Sequence, residues 1–261
     1  MISTKDKVKA IQIESGAYPD GHFGPQSVDY TYRRFAKPKL PYRVKLFGQW
    51  CFIADPKKVN PFNPEGKRVN DFANTVSGSY SYARKPISIL VSNGKTIRDY
   101  SCHCWEKRNG KTHFPESVLW YNKDGSYGLS QVTKDVHLPD RENIVWAIGG
   151  AGMNGNLFQD PWSKLWIPGD AKTEYFYEKF GDVWRDTNHI MIGFDTKGYL
   201  IAVECYSMNG QQMVDLAKKL GFVHDGKIMA IKLDGGHVAA SNVDGRKLNQ
   251  YQAQYYAIQL S

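Results

Sequence analysis

Cysteine is scarce in this chain. Cys51, Cys102, Cys104 and Cys205 are spread over 261 positions without CxxC spacing, so they frame no disulfide ladder. Cys51 and Cys205 fall in apolar, strand-like runs and read as reduced core residues. Cys102-His103-Cys104 has no second ligand cluster to complete a zinc-type site. No metal or organic cofactor is therefore expected, although a divalent ion stays open. The opening Met1-Ile2-Ser3-Thr4-Lys5-Asp6 lacks the apolar core of a secretory signal, which points to synthesis in a reducing cytoplasm. No apolar run approaches the ~20 residues that span a bilayer, and no membrane partner is expected. Basic residues outnumber acidic ones 34 to 26, a formal net charge of +8, yet they form no block. Without a basic stripe or a nucleic-acid-binding motif, nucleic acid is not expected as a partner. An anionic polymer, such as a cell wall bearing teichoic acid, suits the same charge. Oligomeric state is not legible.

What the chain does contain is aromatic residues, 13% of the total with 7 Trp and 16 Tyr, an excess that favours sheets and carbohydrate-facing surfaces. The length suits one large domain with a small appendage. Residues 1–38 form the appendage. Lys7 to Ile13 reads as a short amphipathic helix, with Val8, Ile11 and Gln12 on its inner face, and Gly16 stops it. A loop from Tyr18 to Ser27 leads into a second helix from Val28 to about Phe35. Pro25 sits just inside that helix start, and Phe23 is expected to plug the space between the helices. The prolines of Lys37-Pro38-Lys39-Leu40-Pro41 mark a linker.

Residues 42–261 are sheet-rich, and the fold class expected is α+β: a large mixed, mostly antiparallel sheet with flanking helices. Strands are expected around Val44–Ile53, Val76–Tyr82, Pro86–Val91 and Ile144–Ile148. A hairpin is expected over Val118–Val132, and another over His189–Tyr206. Asn60-Pro61-Phe62-Asn63-Pro64 reads as loop, and Val69 to Thr75 as a short helix. Residues 155–183 form a long irregular stretch rich in aromatics, and in a compact domain such a stretch is usually functional. The C-terminal part is organised as strand Tyr199–Tyr206, helix Gln211–Leu220 and strand Ile228–Leu233, with a right-handed crossover if both strands share a sheet. The second strand stops at Asp234-Gly235-Gly236-His237. A carboxylate then stands at a strand's exit, the usual ligand edge of α/β sheets, and the glycines let backbone amides approach a substrate. Asp-Gly is also an ordinary turn signal, as at Asp124-Gly125 and Asp244-Gly245.

Two resemblances extend this reading. Val8, Ile11, Gln12, Gly16, Asp20, Gly21, Phe23, Gly24, Pro25, Ser27 and Phe35 together resemble the peptidoglycan-binding repeat of wall hydrolases. Four strand ends, Ser77-Gly78-Ser79-Tyr80, Gly149-Gly150, Arg185 through His189 and Asp234 through His237, resemble in order and spacing the phosphodiester glycosidase family. The chain departs from that family at three places. Ser77-Gly78 stands for its Asn-Gly, and His189 for an arginine, with Arg185 close by. His237-Val238 replaces a glycine and a serine.

The resemblance implies Asp234 as the catalytic carboxylate, whether as nucleophile, base or electrostatic stabiliser. His189 and His237 are candidates for phosphate binding or proton transfer, and Glu204 for a second carboxylate. Arg185 suits bidentate phosphate recognition. Asn188, Ser77, Gly78, Tyr80, Gly149, Gly150, Gly235 and Gly236 complete the implied substrate-binding set. Phosphate is already a good leaving group, so the chemistry needs a carboxylate near the anomeric carbon and donors around the phosphate more than a strong general acid. The module pairing implies a cell-wall-directed glycoside hydrolase cleaving a sugar–phosphodiester or wall glycan linkage. Its setting would be a bacteriophage lysin or tail enzyme, with bacterial wall glycan or teichoic acid as partner. The competing reading is a non-catalytic carbohydrate- or wall-binding protein on the same fold.

Overall fold

The longest apolar runs of this chain are buried on both faces, because the sheet they form is covered on both sides. The computed structural model describes residues 3–79, 81–82, 84–101, 115–154, 165–166, 174–175, 186–235, 239–248 and 255–261. Helices α1 (Thr4–Ser15) and α2 (Pro25–Ala36) precede strands β1 (Tyr42–Leu46), β2 (Gln49–Ala54), β3 (Asn60–Phe62) and β4 (Thr75–Ser77). Next come β5 (Leu90–Ser92), β6 (Lys95–Arg98), β7 (Glu116–Asn122), β8 (Tyr127–Val132) and β9 (Ile144–Gly152). The C-terminal third holds β10 (Thr187–Phe194), β11 (Leu200–Met208), α3 (Gly210–Lys219), β12 (Ala230–Gly235), β13 (Ser241–Val243), β14 (Arg246–Leu248) and β15 (Ala257–Gln259). The fold is α+β, with a large, mostly antiparallel sheet.

Ten strands form that sheet in the order β1-β2-β11-β10-β12-β9-β5-β6, with β7 on the other edge of β9 and β8 on β7. Five shorter strands form a second sheet, β14-β13-β4-β15-β3. Phe52, Trp146, Ile148, Ile192, Phe194, Ile231 and Leu233 of the large sheet share one buried cluster with Val76, Val243 and Ile258 of the small one. The opposite face is covered by α3, whose Met213, Leu216 and Ala217 cluster with Cys51, Ile53, Met191, Val203 and Cys205. Each such fully buried aliphatic side chain stabilises the fold by about 1.5–3 kcal/mol. Asn209 caps α3 by accepting from Gln212 N at 3.0 Å, and Gln212 Oε1 accepts in return from Asn209 N at 2.8 Å.

β11 and β12 lie in one sheet, as the strand–helix–strand reading requires, with β10 inserted between them and antiparallel to both. A small hairpin, Val223–His224 with Lys227–Ile228, interrupts the return from α3, so β12 begins at Ala230 rather than Ile228. Two further expectations need correction. Asn60–Phe62 is a strand, not a loop, because it lies at the edge of the small sheet, where Pro61 loses no ladder bond. Only Val69–Asp71 turns helically, as one 3₁₀ turn.

The helical pair is held by a polar hub rather than an apolar plug. Phe23 is 45% exposed and Ile11 38%, whereas Gln12 is fully buried. Gln12 Nε2 lies 2.8 Å from Asp20 Oδ1 and from His22 O, and 3.0 Å from Ser27 Oγ; its Oε1 accepts from Gly21 N at 2.8 Å. Two helices of 12 residues are too short to enclose an apolar core of their own, so one amide orders the loop between them.

α2 is fastened to the large domain by buried charges. Arg33 pairs with Asp29 at 2.6 Å and with Asp195, in the β10–β11 turn, at 2.5 Å. Tyr42 donates to Asp29 at 2.9 Å, and burial together with the Asp29 charge raises the phenol's pKa, so the proton stays on the donor. Burial opposes the Arg33 charge, but the two carboxylates more than offset it and push its pKa up. Removing one member of such a buried cluster strands the others. Arg33→Ala is therefore expected to cost about 3–5 kcal/mol in urea denaturation; a loss below about 1 kcal/mol would show that the junction is solvated.

Candidate active site

The candidate site arises where the large sheet forks. One edge of β9 serves two strands: β5 pairs at Ala147 and Ile148, and β12 at Ala151 and Gly152. β12 therefore parts from β9, and Asp234 N donates instead to Gly78 O, 3.1 Å away, just beyond β4.

On its other edge β12 carries one residue too many. His189 pairs with Gly235 and Met191 with Lys232, so three steps along β12 match two along β10. This is a β-bulge, and bulges re-aim side chains at functional edges. Leu233 packs into the inter-sheet core and Lys232 lies on the opposite face, the one covered by α3; the bulge then interrupts the alternation at Asp234. Asp234 is half-buried, and its Oδ1 accepts from Gly235 N at 2.9 Å. His189 is fully buried. A Cβ on Gly235 would overlap His189 Nδ1 and stand 3.0 Å from Cε1, so this glycine makes room for the imidazole. Asn188 Oδ1 accepts from Ser207 N at 3.2 Å, which ties the start of β10 to the end of β11.

Other residues of the expected site do structural work. Ser77 is fully buried; its hydroxyl lies 3.2 Å from Ala240 O and accepts from Ala240 N at 2.9 Å. Gly78 N donates to Tyr256 O at 2.9 Å, and the Tyr256 ring fills the space where a Cβ would be. Gly149 N donates to Ile89 O at 2.8 Å, and a Cβ on Gly150 would stand 2.7 Å from Lys232 O. Close backbone packing thus accounts for these glycines, and the amides of Gly78 and Gly149 are already engaged.

Glu204 also needs correction. Strand alternation turns it away from Val203 and Cys205 onto the face opposite α3, where Ser241 donates to Oε1 and Arg246 pairs with Oε2 at 3.0 Å. Arg246 also sits 4.9 Å from the Trp50 ring centroid. Glu204 is thus a paired charge at the junction of the two sheets. Tyr80, Arg185, Gly236 and His237 lie outside the described residues, as do Cys102-His103-Cys104 and most of the aromatic stretch 155–183.

Two charged residues were missed. Lys232 is fully buried two positions before Asp234. Glu116, the first residue of β7, is fully buried as well. Its Oε1 accepts from Ile89 N at 2.5 Å, which is possible because Gly149 between them has no side chain to block the reach. The register Ser117↔Gly150 puts Glu116 beside Ala151, which pairs with Lys232, so a short row crosses three strands. A lysine inside the apolar run Ile228–Leu233 was the available signal. Glu116 gave less, as a single acid before an apolar run. Burial and the charge of Glu116 together hold the Tyr256 phenol well above its ordinary pKa. Among the described residues no three His, Cys, Asp or Glu side chains are grouped to hold a metal ion.

The exit of β12 thus brings a half-buried carboxylate, a buried imidazole and a buried lysine close together in an α+β domain. No protein-family model matches the chain, and no curated protein sequence does. Among solved structures it is similar to the zebrafish N-acetylglucosamine-1-phosphodiester alpha-N-acetylglucosaminidase catalytic domain, a structure described as auto-inhibited by its pro-peptide. The TM-score is 0.57 at 15% identity, over 85% of this chain and 81% of that one. It is also similar to a putative exported protein from Burkholderia pseudomallei, with TM-score 0.53 at 8% identity, over 81% of this chain and 73% of the other. At these identities the likeness establishes the fold, one that a glycosidase catalytic domain also uses.

The packing around Gly235 is directly testable. In Gly235→Ala the new methyl has to displace the His189 ring, at a cost of about 1–3 kcal/mol for overpacking. The His189 ring resonances should move in the NMR spectrum and the melting temperature should fall; unchanged ring resonances would show that the imidazole does not lie on this glycine.

Proposed function

We propose that the chain is a cell-wall-directed glycoside hydrolase that cleaves a sugar–phosphodiester or wall glycan linkage, with Asp234 as its reactive carboxylate. The observation that supports this reading is the β12 bulge, which interrupts the ladder at Asp234, beside the His189–Gly235 pair and two residues after the buried Lys232. The fold shared with a phosphodiester glycosidase domain supports it. In the reaction envisaged, water replaces phosphate at the sugar C1, and the leaving phosphate keeps the electron pair of the broken C1–O bond. A carboxylate stabilises positive charge growing at C1, while cationic and N–H groups balance the phosphate. His189 is proposed to assist in proton transfer or phosphate binding, and Arg185 and His237 to complete the phosphate contacts. Wall affinity is assigned to the helical pair, on its resemblance to a peptidoglycan-binding repeat and on the Gln12 hub that orders its loop. The pairing of these modules favours a phage lysin or tail enzyme acting at the bacterial wall.

The test uses purified bacterial walls and measures release of reducing sugar and of phosphomonoester. Wild type is expected to release both, and Asp234→Ala to be slower by at least about a hundredfold, the usual scale for losing a positioned acid–base or charged group. Wall binding in a pelleting assay should survive that substitution. Binding without release by either form would instead establish a non-catalytic wall-binding protein.

A further inference from the structure

A second recognition site lies far from Asp234. An open cleft of about 660 Å³ separates the C-terminal ends of α1 and α2 from the β10–β11 turn, a volume typical of small-ligand sites. It stands at the other end of β10 from His189. Six residues of strand separate His189 from Asp195, a distance of roughly 20 Å.

Three properties make the cleft more than a crevice. Its floor is preorganised: the Arg33 guanidinium lies 4.6 Å from the Tyr30 ring centroid and 4.8 Å from that of Tyr199. The Arg33 side chain is 6% exposed, and among the described residues its Nε has no hydrogen-bond partner. The guanidinium is enclosed between the two rings and the Asp29 and Asp195 carboxylates, so it fixes the shape of the floor. The rim is cationic. Arg34, Lys37 and Lys197 are exposed there, against one carboxylate, Glu14, whereas Asp29 and Asp195 do not face the cleft. Finally, the two walls come into contact across the opening. Lys197 reaches from the turn to Gly16, where φ is +80° and a Cβ would occupy the position of the Lys197 amine. Clustered cations around an open cleft suit a ligand that carries phosphate.

We infer that this cleft binds a phosphate-bearing glycan or polyol chain, holding an anionic polymer at a site about 20 Å from the Asp234 face. Nothing in this inference depends on hydrolysis by Asp234. The experiment is calorimetric titration of the full chain with a glycerol phosphate oligomer, inorganic phosphate and a neutral N-acetylglucosamine oligomer, each at low and high salt. Wild type is expected to bind the glycerol phosphate oligomer at least tenfold more tightly than inorganic phosphate, with affinity falling as salt rises, and to show no binding of the neutral sugar. Arg34→Ala/Lys37→Ala, both on the exposed rim, should weaken the oligomer at least tenfold, and Lys197→Ala alone should weaken it measurably. Asp234→Ala should bind as wild type does, so a failure of catalysis and a failure of this site are separable. The inference is overturned by absent binding in wild type, by unchanged affinity in the rim variants, by equal affinity for oligomer and phosphate, or by comparable binding of the neutral sugar.

Discussion

One extra residue in β12, measured against β10, decides what the large sheet presents. Without that bulge, strict alternation would pair His189 with Asp234. With it, Asp234 leaves the ladder, its amide reaches Gly78, and Gly235 slides under His189. The polar row that follows is expensive in an interior otherwise built of valine, isoleucine and phenylalanine. A buried lysine and a buried glutamate each cost several kcal/mol unless matched by partners. Folds that retain such groups generally do so for chemistry or for specificity.

Glycine does different work at each place where the sheet comes close to itself. At 149 it lets the Glu116 carboxylate cross over β9 to Ile89; at 78 it admits the Tyr256 ring; at 235 it admits an imidazole. None of these positions has a positive φ, so the requirement is space rather than backbone conformation. The opposite is true at Gly16 and Gly198, where the left-handed conformation ends α1 and shapes the β10–β11 turn. The helical pair meets that same turn through Arg33, so β10 joins the two parts of the molecule. One end carries His189 and the other carries the Asp195 junction.

The α+β class, the two hairpins around Asp124-Gly125 and Asp195-Thr196-Lys197-Gly198, helix α3 and the strand ending at Asp234 were legible in the chain. These features rest on local chemistry: hydrophobic period, turn residues and a capping box act over a few positions and leave their mark in the order of residues. Partnership was not legible. Glu204 reads as a second carboxylate until β13 and β14 bring Ser241 and Arg246 onto it from some forty residues away. Ser77 and the glycines at 78, 149 and 150 resemble substrate contacts until their neighbours prove to be backbone and ring atoms of distant strands. Phe23 looks like a plug, yet its ring is exposed, and it is the Gln12 amide on the inner helix face that is buried. Which side of a strand meets which neighbour is set by register and by the packing of two sheets, and those are non-local quantities that no single stretch of sequence encodes.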